Sequence, residues 1–360
     1  MKTSNIALAS ALLLSSAAAV VAVPMITLAA HAAEDGPYHV LRVVKAGGDG
    51  GFDYVRADAA DRRLFIARRG KPPEIDVYDL DTLKLVGTIP NVGGAGAVGD
   101  PKSGHGFASG NPVTMFDIKT LKVIKTIPVP SGRDDLLLDD YNDRAYFWSH
   151  SMPYGLAIDA VTGNVIGPID VGGGVEESVS DGAGHVYAVA FDKAYIAVID
   201  ANTLKVTAHY PLLGNDMLKD DECGGLAIDR KNRILFAACK NKKIMVILSA
   251  DTGKIITTLP LPDISTDSEG FNQDTMENFS SHGSGTLTII KENSPTSFVV
   301  EQNVNTIDNG KAMAFDSRTG HVFVTGAEYL PAAPDAKRFK GRPARGPMVP
   351  GSFSIVEVGR

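Results

Sequence analysis

The chain has 360 residues, 37 glycines and 44% hydrophobic side chains, with a formal charge of −7. That is enough to bury a large core in one repetitive domain or two ordinary ones. The acidic balance counts against a broad nucleic-acid-binding surface, which is ordinarily basic, although a local patch stays open. The two cysteines, Cys223 and Cys239, cannot build a zinc site alone.

Residues 1–32 stand apart. Lys2 precedes an apolar run rich in Ala, Leu and Val, and Ala30-His31-Ala32 offers small residues where a signal peptidase reads. The run is long enough to consider a membrane anchor, but Pro24 and the A-x-A site favour a cleaved export signal. No second such run follows, so the expected mature chain, residues 33–360, has no integral membrane segment and a charge of −8. We expect it to be periplasmic or secreted, and a monomer.

From there a hairpin grammar recurs: two alternating apolar runs around a polar turn. It occupies Glu74 to Pro90, Pro112 to Pro128, Gly155 to Asp170, Tyr195 to Pro211 and Lys243 to Pro260. The matching turn residues Asp79, Asp117, Asp159, Asp200 and Ser249 are spaced by 38, 42, 41 and 49 residues. A period near forty built from strands predicts a β-propeller. Each such hairpin follows a second kind, marked by an Asp or Asn with an aromatic seven residues on: Asp58 and Phe65, Asp100 and Phe107, Asp140 and Phe147, Asp229 and Phe236, Asn272 and Phe279, Asp316 and Phe323. In the fourth unit Asp181 leads to Tyr187 one residue sooner. Runs such as Arg63 to Ala67 and Arg233 to Ala237 are too apolar for exposed strands and read as inner strands covered on both faces.

Seven inner hairpins are thus expected, with six complete outer ones; Thr286 to Ile290 with Ser297 to Glu301 is the sixth. Ser352 to Val358 supplies half of the last outer hairpin, and Tyr38 to Val44 is a lone strand at the other end. Pairing these two removes an exposed edge and closes the ring. The predicted fold is all-β, a seven-bladed propeller of four-stranded blades in one domain, its last blade closed by the N-terminal strand. A long Pro-rich segment, residues 327–351, carries Lys337, Arg338, Lys340, Arg342 and Arg345. It reads either as a solvated cover or as an anion or partner site.

Val322-Phe-Val-Thr-Gly326, Ser284 to Pro295 and Pro350 to Arg360 resemble segments of the YVTN-repeat, YncE-like propellers. The resemblance covers nearly all of residues 38–360. It implies the propeller fold, and an extracytoplasmic binding or scaffold role for a small-molecule or protein ligand. DNA binding has been proposed in that family. The resemblance transfers no catalytic motif, and fold alone does not fix activity.

No nucleophile elbow, Walker loop, C-x-x-C, H-E-x-x-H or EF-hand loop is present, which shifts weight from enzyme to binding module. Counting back five residues from each inner turn reaches the channel rim at Asp53, Ala95, Asp135, Glu176, Gly224, Asp267 and Lys311. Fixed-sum pairing across the hairpins then sets Asp53 against Arg68, Asp135 against His150, Asp267 against His282 and Gly224 against Cys239. These pairs read either as solvated ion pairs or as a ligand site at the mouth. In the second case Asp135, His150, Glu176, Asp267 and His282 are candidate ligands for a divalent metal. A metal with an open position would make a lactonase-like hydrolase the first alternative, and a nucleic-acid binder is the second. His105, His185 and His321 read as structural, and Trp148 as packed between blades or pointing to the rim. Because 223 and 239 are symmetric about Lys231, Cys223 and Cys239 are expected to face one another and form a disulfide in an oxidising compartment, with two buried thiols as the other possibility.

Overall fold

A computed structural model describes residues 36–48, 50–132, 134–152, 154–212, 222–263, 266–333, 335 and 345–360. The expected export signal and Lys337, Arg338, Lys340 and Arg342 lie outside these residues. The described chain contains strands and no helix, arranged as seven four-stranded antiparallel sheets. It is a seven-bladed β-propeller. Six blades use consecutive strands, running through residues 51–90, 97–127, 136–169, 175–211, 223–260 and 266–305. The seventh comprises Ala312–Phe315, Val322–Gly326, Ser354–Gly359 and, outermost, the N-terminal strand His39–Lys45. The last pairing runs from His39 opposite Gly359 to Lys45 opposite Ser354.

Side-chain and backbone chemistry in the turns explains the repeat. In the outer hairpins the carboxylates of Asp79, Asp117, Asp159 and Asp200 each accept bonds from the N–H and hydroxyl of a Thr three residues on. This local side-chain bonding is what Asp offers a turn. The next residue takes positive φ, 53° at Leu83 and 64° at Gly163 for example, and a register shift follows in every one of these hairpins.

The blades hold together by packing inner-strand side chains from facing sheets. Phe65, Phe107, Phe236, Phe279 and Phe323, the marker aromatics, are all at most 1% exposed. Phe65 meets Phe116 of the next blade at 5.9 Å between ring centroids, and Phe279 stacks on Phe315 at 5.5 Å. Each large buried aromatic side chain removes on the order of 150–250 Å² from water, so the inter-blade seams carry most of the apolar burial. Trp148 belongs to such a seam: fully buried, it donates from Nε1 to Ser178 Oγ of the following blade at 2.6 Å.

Blade three corrects one turn assignment. The inner turn is nucleated by Asp139, whose carboxylate accepts the Tyr141 N–H, and Asp143 four residues on has φ 52°. Asp140 therefore lies inside the turn, and the marker aromatic seven residues on is Tyr146 rather than Phe147.

Candidate functional site at the channel

Four inner hairpins carry the same irregularity. Phe52 pairs with Arg68 but Val55 with Ile66; Val175 pairs with Ala190 but Ser178 with Ala188. Cys223 pairs with Cys239 but Leu226 with Ala237, and Thr266 pairs with His282 but Glu269 with Ser280. In each, two inner-strand residues oppose one partner. Such β-bulges re-aim side chains near sheet ends, and the bulged pairs are Asp53-Tyr54, Glu176-Glu177, Gly224-Gly225 and Asp267-Ser268. Asp134-Asp135 occupies the same position in blade three once its turn is counted from Asp139.

The first member of each pair forms the rim, and the bulge changes its partner. Asp53 pairs with Arg69, not Arg68. The Arg68 guanidinium instead lies 3.9 Å from the Phe353 ring centroid and donates to the Gly47 carbonyl. His150 bonds Asp134 at 3.2 Å and Glu176 at 3.1 Å, not Asp135. Asp267 is held by Lys311 and by Lys240 at 2.9 Å, not by His282. Lys240 also reaches Glu176 at 3.6 Å. Gly224 stands beside, rather than opposite, the pairing position of Cys239, and a Cβ there would lie 2.8 Å from Lys240 Cε. Ala95 of blade two adds no charge. The result is a band of alternating charge at one mouth, running Lys311, Asp267, Lys240, Glu176, His150, Asp134, with Asp53 and Arg69 beside it. Arg69, His150 and Lys240 were the residues that fixed-sum pairing misplaced or missed. They share one position, sixteen residues after the rim residue of their own blade, and a fixed spacing that allowed for one bulged residue would have found them.

Electrostatics follow from this pairing. Burial pushes Asp53 up to about 6 against the pull of Arg69. For Asp267, burial opposes ionisation, but the ammonium groups of Lys240 and Lys311 win and hold it far below the ordinary carboxylate range. Glu176 is likewise held low by Lys240 and His150 despite its burial. The hydrogen bond to Glu176 raises His150 above its ordinary value, partly offset by burial. His282 behaves in the opposite way. Fully buried, with Nδ1 2.6 Å from Thr266 Oγ1 and Nε2 3.0 Å from Thr288 Oγ1, it is pushed down to about 4 by desolvation.

The second member of each bulge lies deeper. Asp135, fully buried, accepts from Arg56 at 2.6 Å, and burial raises it to about 6. Glu177 accepts the Leu226 N–H at 2.8 Å and faces Arg56 at 3.5 Å. Tyr54 donates its hydroxyl to the Glu176 carbonyl. Gly225 has a packing reason to be glycine, since a Cβ there would lie 2.5 Å from Glu269 Cγ.

The five candidate metal ligands are not brought together: Asp135 is committed to Arg56, Asp267 to two lysines and His282 to two threonines. Among the described residues no group of three or more His, Cys, Asp or Glu side chains is placed to hold a metal ion. The cysteines do meet, in a disulfide with a Cα separation of 3.9 Å. Of the histidines read as structural, His105 bonds the Ala160 carbonyl, His185 bonds Asp181 and His321 bonds Glu357.

No known family profile matches the chain, and no curated protein matches it. Many solved structures share the fold. One described as the structure of U3-55K superposes with TM-score 0.68 at 9% identity, covering 89% of this chain and 98% of its own. The RRP9 WD40 repeats give 0.67 at 9% identity, covering 90% and 98%. A chain of the Mitotic Checkpoint Complex gives 0.65 at 13%, covering 85% and 94%. At such identities the likeness establishes the seven-bladed propeller architecture alone.

Proposed function

We propose that this chain is an exported, YncE-like β-propeller that acts as a binding scaffold and meets its small-molecule or protein ligand at the charged mouth of the channel. The observation that carries this reading is the band of alternating charges drawn from six blades onto one rim. Paired charges fix one another's geometry, so the mouth presents a rigid polar pattern, and electrostatic complementarity of this kind selects partners. Arg69 and His150, with side chains 57% and 44% exposed, are its most accessible members. A propeller within the Mitotic Checkpoint Complex supports the use of this architecture inside assemblies. Export is supported by the apolar leader with its A-x-A site and by the disulfide, which suits an oxidising compartment.

The test is site-specific photo-crosslinking in intact producing cells. A photoreactive residue at position 69 or at the exposed Met152, two residues beyond His150, should give discrete adducts, whereas one at position 124, on the outer strand Val123–Ile127, should not. Adducts distributed equally over all three positions would end the rim assignment. Mass spectrometry of the exported protein should find an N-terminus near Ala33; an apolar leader retained in the membrane fraction would overturn the cleavage claim.

A further inference from the structure

Below the charged rim lies a cavity of about 600 Å³. Its walls combine polar groups with aliphatic side chains, Val98, Leu136, Leu138, Val179, Leu226 and Met313 contributing from five blades. It opens at the end of the disc opposite the rim, where the inner turns place Asp58, Asp140, Arg230 and Ser317. At its inner end stand Arg56, Glu177 and Glu269. An apolar pocket with a few convergent polar groups is the usual form of a small-molecule site.

The charge count at that inner end is lopsided. Asp135, Glu177 and Glu269 supply three carboxyl groups against the single guanidinium of Arg56, which already faces Asp135 and Glu177. Glu269 is 9% exposed; its Oε1 accepts from Ser280 at 2.6 Å, while Oε2 is buried without a donor in good hydrogen-bond geometry, the Asn278 amide beside the carboxyl giving only partial relief. A buried carboxyl oxygen without a donor is costly. Gly225 leaves the room that this side chain occupies.

We propose that the cavity binds a small organic cation, an ammonium group on an apolar body, entering from the inner-turn end and seating against Glu177 and Glu269. The ammonium donates to the Glu177 and Glu269 carboxyl groups that line the inner end, the Glu269 carboxyl turning to present its undonated oxygen, and the apolar body covers the aliphatic walls. A carboxylate ligand is disfavoured, because it would meet three acidic groups and an arginine already engaged. This site lies at the other end of the channel and does not depend on the rim reading.

Protonation adds a signature. Burial raises Glu177 to about 8 and Glu269 well above its ordinary value, eased by Ser280 and Asn278. The groups facing them are Arg56, Asp135 and one another, with Asp58, Asp140 and Arg230 farther out at the opening. An arriving ammonium favours the ionised carboxylates and so expels a proton.

The experiment is calorimetric titration of the exported protein, beginning near Ala33, with benzylamine, using benzyl alcohol as the neutral comparator, between about pH 6 and 8.5. Benzylamine should bind with proton release and more tightly at the higher pH, and benzyl alcohol at least about tenfold more weakly. Glu177→Gln and Glu269→Gln keep shape and remove charge, so they should fold and each weaken benzylamine about tenfold. Leu138→Trp, which narrows the cavity, should abolish binding, whereas Ile124→Thr on an outer strand should leave it intact. Equal affinity for amine and alcohol, survival of binding in the double Gln variant, or no binding to the wild type would each overturn the proposal.

Discussion

The Lys240 ammonium lies 2.9 Å from Asp267 and directly follows Cys239, whose sulfur is bonded to Cys223 on the neighbouring strand. The covalent link and the ion pair therefore fix the same corner of blade five, the first within the blade and the second across to blade six. Lys240 is only 4% exposed. Lys240→Met leaves Asp267 and Glu176 each with one cationic partner fewer, and removing one member of a buried pair costs about 3–5 kcal/mol. Urea unfolding should show that loss, and Asp267→Asn in the same background should recover part of it. An additive double mutant would mean that the pair contributes nothing of its own.

The disulfide closes a loop of 16 residues, for which chain entropy gives about 3 kcal/mol. Replacing both cysteines by Ala should lower the denaturation midpoint by that order while keeping the sheet content. The rim should loosen as well, read as faster amide exchange at Gly224 and Lys240. Unchanged exchange there would separate the disulfide from the rim.

The pH dependence has a definite sign. Glu177 keeps its proton up to about 8 in the folded chain, against about 4.3 for an unfolded Glu. Its contribution to stability is complete below the unfolded value and is lost as pH rises through that window, because the native state holds the extra proton. The wild type should therefore lose a few kcal/mol relative to Glu177→Gln between about pH 5 and pH 8. His282, pushed down to about 4, works the other way, withdrawing stability as pH falls below about 6.5. His282→Gln should flatten that acid limb. Parallel curves for wild type and variants would refute both assignments.

Removal of residues 36–45 should be severe. It takes away the strand that covers Ser354–Gly359 and Tyr38, whose hydroxyl donates to Glu277 at 2.5 Å while its N–H and carbonyl bond the Gln302 amide. The exposed edge of blade seven would be free to pair with another chain. Size-exclusion chromatography should find aggregates, and adding the missing segment as a peptide should restore the monomeric fraction.

The blades, their closure and the disulfide were legible because each rests on a local rule: Asp in a tight turn, apolar residues on a doubly covered strand, cysteines at a symmetric separation. The charged mouth was legible in its residue types and not in its pairings. In blade three, Asp139 and Asp140 are both competent to start the turn, and Tyr146 and Phe147 both satisfy the aromatic spacing, so Asp135 stood in for Asp134. Elsewhere a single bulged residue moved every partnership beyond it, which is why Arg69 took the place of Arg68 and His282 turned away from Asp267. A bulge depends on how the sheet meets its neighbours, and no short window of residues encodes that. The deep carboxyls Glu177 and Glu269 passed unnoticed because strand patterning treats an acidic residue as outward-facing. Gly224-Gly225, two adjacent residues without side chains, was the available sign that something bulky sits alongside.

The pairing of His39 with Gly359 makes the first and last strands of the propeller immediate neighbours although some three hundred residues separate them. The opening strand has nothing to pair with while the chain is being delivered, and it waits until the final strand arrives. Among the described residues closure is then the contact with the longest sequence separation, a feature that slows folding, and it acts as a check on completeness: a chain that stops short of its last ten residues has no way to shut the ring. Because the two ends meet at the outer edge of one blade, a short linker between them and a new opening in any inter-blade loop would leave every sheet intact, with the seam moved from within a blade to the junction between two.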